Sequence, residues 1–144
     1  MKRLILLPFL ALFLYAQSGE NEFKKYDENC TKGDEFSCAQ IGMTYLKESD
    51  LEGAWVYFDR GCKAKFGVSC ELKAYMQTQI GEYDEAFKTF SKACDNNSSY
   101  SCLNLAVLYD NGNGVKKDIK KATSLFTKAC KLGDRSACQM LNVR

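Results

Sequence analysis

Cys94-x7-Cys102-x2-Leu105-Ala106-x2-Tyr109-x2-Gly112-x-Gly114-Val115, followed by Ala122, Phe126 and Ala129-Cys130-x7-Cys138, is the stretch that decides the fold. It opens and closes on cysteines eight residues apart, and the same spacing returns upstream at Cys30/Cys38 and Cys62/Cys70. All eight cysteines therefore fall into four pairs, whose first members lie 32, 32 and 36 residues apart. A period of that size with every cysteine in register is the mark of stacked helical repeats.

The residues around the pairs keep the same register. Four before each first cysteine stand Tyr26, Phe58, Phe90 and Phe126; eight before stand Glu22, Ala54, Ala86 and Ala122. Aromatic and small residues thus share one helix face at i, i+4 spacing. Three after each second cysteine come Ile41, Lys73, Leu105 and Leu141, and four after come Gly42, Ala74, Ala106 and Asn142. Small side chains at that last position let neighbouring helices approach closely. Between the cysteines, Gly33-Asp34 and Gly133-Asp134 supply a left-handed helix end followed by an N-cap, and Asn97-Ser98 serves the same purpose. Lys65-Phe66-Gly67 departs from the pattern. The expected fold is all-α, an αα-hairpin repeat solenoid of about four repeats, with helices near 21–31, 36–47, 51–64, 68–79, 83–95, 99–110, 118–131 and 134–143. One disulfide closes each repeat, pairing Cys30 with Cys38, Cys62 with Cys70, Cys94 with Cys102 and Cys130 with Cys138. Each short loop so closed contributes roughly 2.5 kcal/mol in the chain-entropy model.

The other end of the chain speaks to location. Lys2 and Arg3 precede an apolar run from Leu4 to Tyr15, and Ala16 then offers a small residue before a polar stretch. That is the layout of a secretory signal peptide over residues 1–16, with cleavage expected after Ala16 and a repeat domain over 17–144. The run falls short of the roughly 20 apolar residues of a spanning helix, so no stable membrane anchor is expected. Without the leader, the chain carries 18 basic and 18 acidic residues, a balance that does not favour capture of nucleic acid or an anionic membrane. A secreted or periplasmic protein meets oxidising conditions, in which evenly spaced cysteines form a disulfide framework. Zinc is the rival use of the cysteines. Their spacing does not match the usual knuckle, and the chain has no histidine. Cys-x-x-Cys, the redox motif, is absent, and no motif calls for a cofactor.

The run Leu105-Ala106-x2-Tyr109-x2-Gly112-x-Gly114-Val115-x2-Asp118-x2-Lys121-Ala122 resembles the Sel-like repeat, a relative of the tetratricopeptide repeat. Taken with Lys128-Ala129-Cys130-x2-Gly133-Asp134-x2-Ala137-Cys138, it is similar to the Helicobacter cysteine-rich protein family. Departures lie in the second repeat, where Lys73 replaces an apolar residue, and at Glu82-Tyr83-Asp84-Glu85-Ala86, which is closer to an ordinary tetratricopeptide helix start. The resemblance implies binding and slow hydrolysis of β-lactams, hence a β-lactamase as the alternative function. A serine enzyme of that class uses Ser-x-x-Lys so that the hydroxyl proton has an acceptor, and neither that motif nor Lys-Thr-Gly occurs.

The leading functional reading is a protein- or peptide-binding scaffold, because stacked hairpins leave a concave surface for an extended partner. Taking each second cysteine as zero, position plus five holds Met43, Tyr75, Val107 and Val143, and plus one holds Ala39, Glu71, Leu103 and Gln139. In tetratricopeptide-like stacking this helix lines the concave side. Met43, Tyr75, Leu103 and Val107, with Glu71 at the rim, are accordingly the candidate ligand-binding residues, for a protein or peptide or for a cell-wall or β-lactam-like small molecule. The competing reading is a core stripe about 100° wide that simply extends to this flank.

Asp27-Glu28-Asn29-Cys30-Thr31 and Asp95-Asn96-Asn97-Ser98-Ser99 each contain an Asn-x-Ser/Thr acceptor with an acidic residue two before the asparagine. Coincidence at helix ends is the alternative there. The cysteine register itself makes a direct prediction. The intact mass of the purified protein is expected to be lower by eight hydrogens than the fully reduced chain, and a zinc-bound form with free thiols would refute the pairing.

Overall fold

The computed structural model describes the backbone of residues 6–143 and the side chains of residues 19–143. Among the described residues there are eight α-helices and no strand. Residues up to Lys65 form one compact unit, and those from Phe66 onward form a second.

The first unit contains α1 (Leu6–Thr31), α2 (Glu35–Lys47) and α3 (Leu51–Ala64), with α2 packed against both α1 and α3. The first helix starts well before the expected residue 21. Pro8 does not interrupt the helix over the described residues. Of the expected leader, residues 1–5 lie outside the described residues. Among the described residues no helix is long and apolar enough to cross a membrane.

Phe58 is fully buried, and Gly42 shows why it fits: a Cβ there would stand 2.6 Å from the ring's Cδ1. The glycine at plus four therefore gives the space that the phenylalanine at minus four occupies. An aromatic ladder also joins the three helices. Phe23 meets Tyr45 edge-on at 6.2 Å, and Tyr45 stacks on Tyr57 at 5.5 Å. Tyr57 donates to the Asp27 carboxylate at 2.8 Å, and the Arg60 guanidinium lies 5.1 Å from the Tyr57 ring centre.

The second unit runs through α4 (Val68–Gln79), α5 (Tyr83–Asp95), α6 (Ser99–Asn111), α7 (Ile119–Lys131) and α8 (Arg135–Asn142), each packed against the next. Its core repeats the same recipe. Phe90 and Phe126 are fully buried among Ala74, Ala86, Ala106, Ala122 and Ala137, with Leu105 and Leu108 beside them. Lys73, at the register position where Ile41 and Leu105 are buried, is half-buried. The longer third junction folds over the start of α5, and a Cβ on Gly114 would lie 2.7 Å from that of Tyr83. Only glycine permits that approach, because Gly114 also has φ +66°.

The turns between cysteines follow one design. Gly33, Asn97 and Gly133 adopt φ of +92°, +65° and +99°. In each, the residue's N–H donates to the carbonyl of the first cysteine, at 3.0, 2.9 and 3.0 Å, as in a Schellman helix end. Asp34, Ser98 and Asp134 then cap the next helix, their side chains accepting from Ser37, Ser101 and Ala137 N–H groups. The bridges Cys30–Cys38, Cys94–Cys102 and Cys130–Cys138 span Cα separations of 4.7, 4.6 and 4.8 Å. Cys62 and Cys70 are disulfide-bonded as well, so the expected bridges use every cysteine. The departure at Lys65-Phe66-Gly67 is real. Lys65 leaves α3 in an extended conformation, and Gly67 starts α4 with no side-chain cap.

Burial and, next, the hydrogen bond to Asp27 push the Tyr57 hydroxyl up to about 12 from the ordinary tyrosine value. The fold thus holds the neutral phenol more tightly than the unfolded chain does. This contribution is complete below about pH 10 and is lost as pH rises through about 12. Burial raises Tyr100 in the same direction. Urea unfolding followed between those pH values is expected to show stability declining, with a shallower decline for Tyr57→Phe; an identical slope for the variant would show that Tyr57 has no such role.

Candidate peptide-binding cleft

Tyr75 on α4 and Val107 on α6 occupy the same register position, five residues after Cys70 and Cys102. They line one cleft of about 250 Å³ together with Thr78, Gln79, Tyr83, Asn104, Leu108 and Asn113. Helix geometry brings this about, because the core face is taken by positions zero, three and four, which turns position five towards its edge. Tyr75 keeps 42% of its surface exposed and Val107 is half-buried. Tyr75 is held from behind by Tyr100, at 6.4 Å between ring centres, and Tyr100 in turn meets Phe90 edge-on at 6.4 Å.

No charged side chain lines this cleft. Its polar groups are the amides of Gln79, Asn104 and Asn113 and the hydroxyls of Thr78, Tyr75 and Tyr83. Asn104 donates from Nδ2 to the Tyr100 carbonyl at 2.8 Å, which fixes the orientation of its amide. An aromatic wall with neutral donors and acceptors suits the uncharged backbone of an extended peptide.

The remaining candidate residues divide differently. Leu103 is half-buried and packs against the core of the second unit, and at the equivalent position Ala39 is buried. Position plus one therefore belongs to the edge of the core in those two repeats. Met43, in the first unit, is 37% exposed. Glu71 lies beside a neighbouring cleft of about 290 Å³ lined also by Val68, Leu72, Ser98 and Tyr100.

Glu71 has a structural role that sequence reasoning missed. Its carboxylate accepts the hydroxyl protons of both Ser98 and Ser101. In the first repeat the corresponding serine, Ser37, donates to the cap residue Asp34 of its own turn. Where the third turn has Ser98 in place of aspartate, Glu71 supplies the missing carboxylate from α4, the second helix of the preceding repeat. The signal was present in the chain, since Ser37, Ser69 and Ser101 all immediately precede a second cysteine and all three are buried. Among the described residues no group of acidic, cysteine or histidine side chains could hold a metal ion.

The Sel1 repeat model matches residues 99–134. The chain is 30% identical over 126 residues to cytochrome c oxidase assembly factor 7 of Xenopus tropicalis, covering 76% of this chain and 54% of that protein. It is 41% identical over 54 residues to the putative beta-lactamase HcpC of Helicobacter pylori, covering 38% of this chain and 18% of that protein. Among solved structures it is similar to Helicobacter pylori cysteine rich protein B, with TM-score 0.61 and 28% identity over 83% of this chain and 94% of that one. The chain thus spans about half the length of the Xenopus relative and less of HcpC.

The carboxylate at Glu71 supplies a test of the geometry. Glu71→Ala strands the hydroxyl of the buried Ser101, at a cost of about 1–3 kcal/mol. Glu71→Gln retains an acceptor oxygen and is expected to cost less; urea unfolding that ranks the two variants equal to wild type would deny the carboxylate this role. The repeat match, the cysteine register and the bridges closing its turns agree: the chain is a disulfide-stapled protein with a Sel1 repeat at residues 99–134, similar in fold and cysteine pattern to the Helicobacter pylori cysteine-rich proteins.

Proposed function

We propose that the protein is an exported scaffold that binds an extended protein or peptide segment in the cleft between Tyr75 and Val107. The observation that carries this reading is the uncharged, amide-bearing lining of that cleft beside an exposed tyrosine. A peptide backbone presents alternating N–H and C=O groups, and Gln79, Asn104 and Asn113 supply side-chain partners for both. Sel1-type repeats suit such a role because each hairpin contacts mainly its neighbours, which leaves one helix row available to a partner. Relatives named as assembly factors are consistent with the handling of partners rather than the turnover of a substrate.

Export is supported by the leader-like residues 1–16 and by the use of all cysteines in disulfides, which persist in a periplasmic or extracellular environment. Met43, at the same register position in the first unit, is exposed and is proposed as a further contact in its own repeat, and Glu71 serves the cleft by holding the start of α6. The second reading, β-lactam binding or hydrolysis, draws on the name of HcpC and on the family resemblance. The serines drawn to a carboxylate, Ser98 and Ser101, have that hydrogen bond as part of the α6 cap, and no Ser-x-x-Lys accompanies them.

One experiment separates these readings. Partners crosslinked to the wild-type protein in the envelope fraction are expected to be lost with Tyr75→Ala and reduced with Met43→Ala, while melting temperatures stay near wild type. Phe90→Ala is the benchmark for a core position, with an expected cost of about 3–5 kcal/mol. A fall in stability of that size for Tyr75→Ala would make Tyr75 a core residue and end the cleft proposal. Turnover of nitrocefin by the wild-type protein, abolished by substitution of a cleft residue, would favour the enzyme reading.

A further inference from the structure

Asp95-Asn96-Asn97-Ser98-Ser99 joins α5 to α6 inside the ring closed by Cys94–Cys102. The fold accounts for its inner members. Asn97 adopts φ +65° where Gly33 and Gly133 stand in the corresponding turns, and asparagine is among the few other residues that tolerate this region. Ser98 caps α6, its hydroxyl oxygen accepting from the Ser101 N–H at 3.2 Å.

The outer members have no such explanation. Asp95 is exposed at the last position of α5, where the corresponding residues of α3 and α7 are Lys63 and Lys131. A carboxylate there opposes the helix macrodipole, whereas lysine complements it. Ser99 is the first residue of a helix that Ser98 already caps. What the outer residues do provide is a pattern: an asparagine with a hydroxyl two residues after it and a carboxylate two before.

The geometry also separates this stretch from its counterpart at Asn29. Asn97 is exposed, and its side-chain amide has no hydrogen-bond partner among the described residues, whereas that of neighbouring Asn96 donates to the Lys92 carbonyl. Asn29 is half-buried in the last turn of α1, beside the buried Cys30. The hydroxyl two residues after it, on Thr31, is already bonded to the Asp27 carbonyl at 2.8 Å.

We infer that Asn97 is an acceptor for an N-linked glycan, with Asp95 and Ser99 as the flanking residues that a glycosyltransferase reads. The donor is an oligosaccharide linked to a polyprenyl pyrophosphate. The Asn97 amide nitrogen attacks the anomeric carbon, a C–N bond forms, and the bond from that carbon to the pyrophosphate oxygen breaks. Polyprenyl pyrophosphate leaves with the electron pair, and a base of the transferase takes the amide proton. In the cell this step depends on the export proposed above, because such donors are used outside the cytoplasm.

The test bypasses export, so that failure of the acceptor and failure of the export reading remain distinct. The purified, oxidised full chain is incubated with a bacterial oligosaccharyltransferase and its lipid-linked oligosaccharide, and the product is followed by intact mass and peptide mapping. The expected result is a mass increase of one complete oligosaccharide on Asn97 and none on Asn29. Asn97→Gly places at this turn the residue found at Gly33 and Gly133, and it is expected to abolish the increase while the disulfides remain intact. Asp95→Asn is expected to abolish it as well, without loss of stability. Absence of transfer to the oxidised chain, transfer to Asn29 instead, or undiminished transfer to Asp95→Asn overturns the assignment.

Discussion

The structure depends on a turn in which one helix ends in the left-handed region and the very next residue begins another. Such a turn leaves no slack between the helices it joins. It brings the last turn of the first helix and the first turn of the second together, so that cysteines eight residues apart reach Cα separations of 4.6 to 4.8 Å. A disulfide between them then restrains a short segment that is already well ordered in the native state. In the unfolded chain the same link removes freedom, which is the main source of its stabilisation in the chain-entropy picture. The second turn shows what happens without the left-handed residue: α3 ends in extended backbone and α4 begins without a side-chain cap.

Packing between helices uses size rather than polarity. A phenylalanine four residues before the first cysteine is fully buried in three repeats, and the facing helix offers glycine or alanine four after the second. In the first repeat Tyr26 and Glu22 replace phenylalanine and alanine, and both are less buried than their counterparts. A hydroxyl or a carboxylate cannot be placed in that space without a partner, so α1 turns those residues towards water. The aromatic ladder from Phe23 to Tyr57 supplies its attachment instead.

These constraints also shape the candidate site. The edge of the core stripe is where the fold leaves apolar surface without specifying its cover, and Tyr75 lies there, supported by Tyr100 and Phe90. Support from behind limits the rotamers of the tyrosine, so less side-chain entropy is lost when a partner binds. Glu71 acts one layer deeper. By accepting from two serines at the start of α6, it ties the helix bearing Tyr75 to the helix bearing Val107.

Much of this was legible in the chain. Cysteine spacing, the i, i+4 alternation of aromatic and small residues, and the glycine-aspartate turns placed the helices closely, because each is a local signal read over one or two turns of backbone. The disulfide pairing was legible for the same reason: partners eight residues apart need no knowledge of the wider fold. The leader-like start carried a chemical signal, but it said nothing about where α1 would begin, since helix propensity does not stop at a cleavage motif. Tertiary structure alone decided which of the positions beside the core stripe stayed exposed. At position plus five Val107 is half-buried while Tyr75 keeps 42% of its surface exposed, a difference set by neighbouring helices and side-chain size rather than by period. It alone decided the role of Glu71 too. A carboxylate 27 residues from the serine it caps belongs to that turn only after the helices have packed, and no local pattern encodes a distance of that kind.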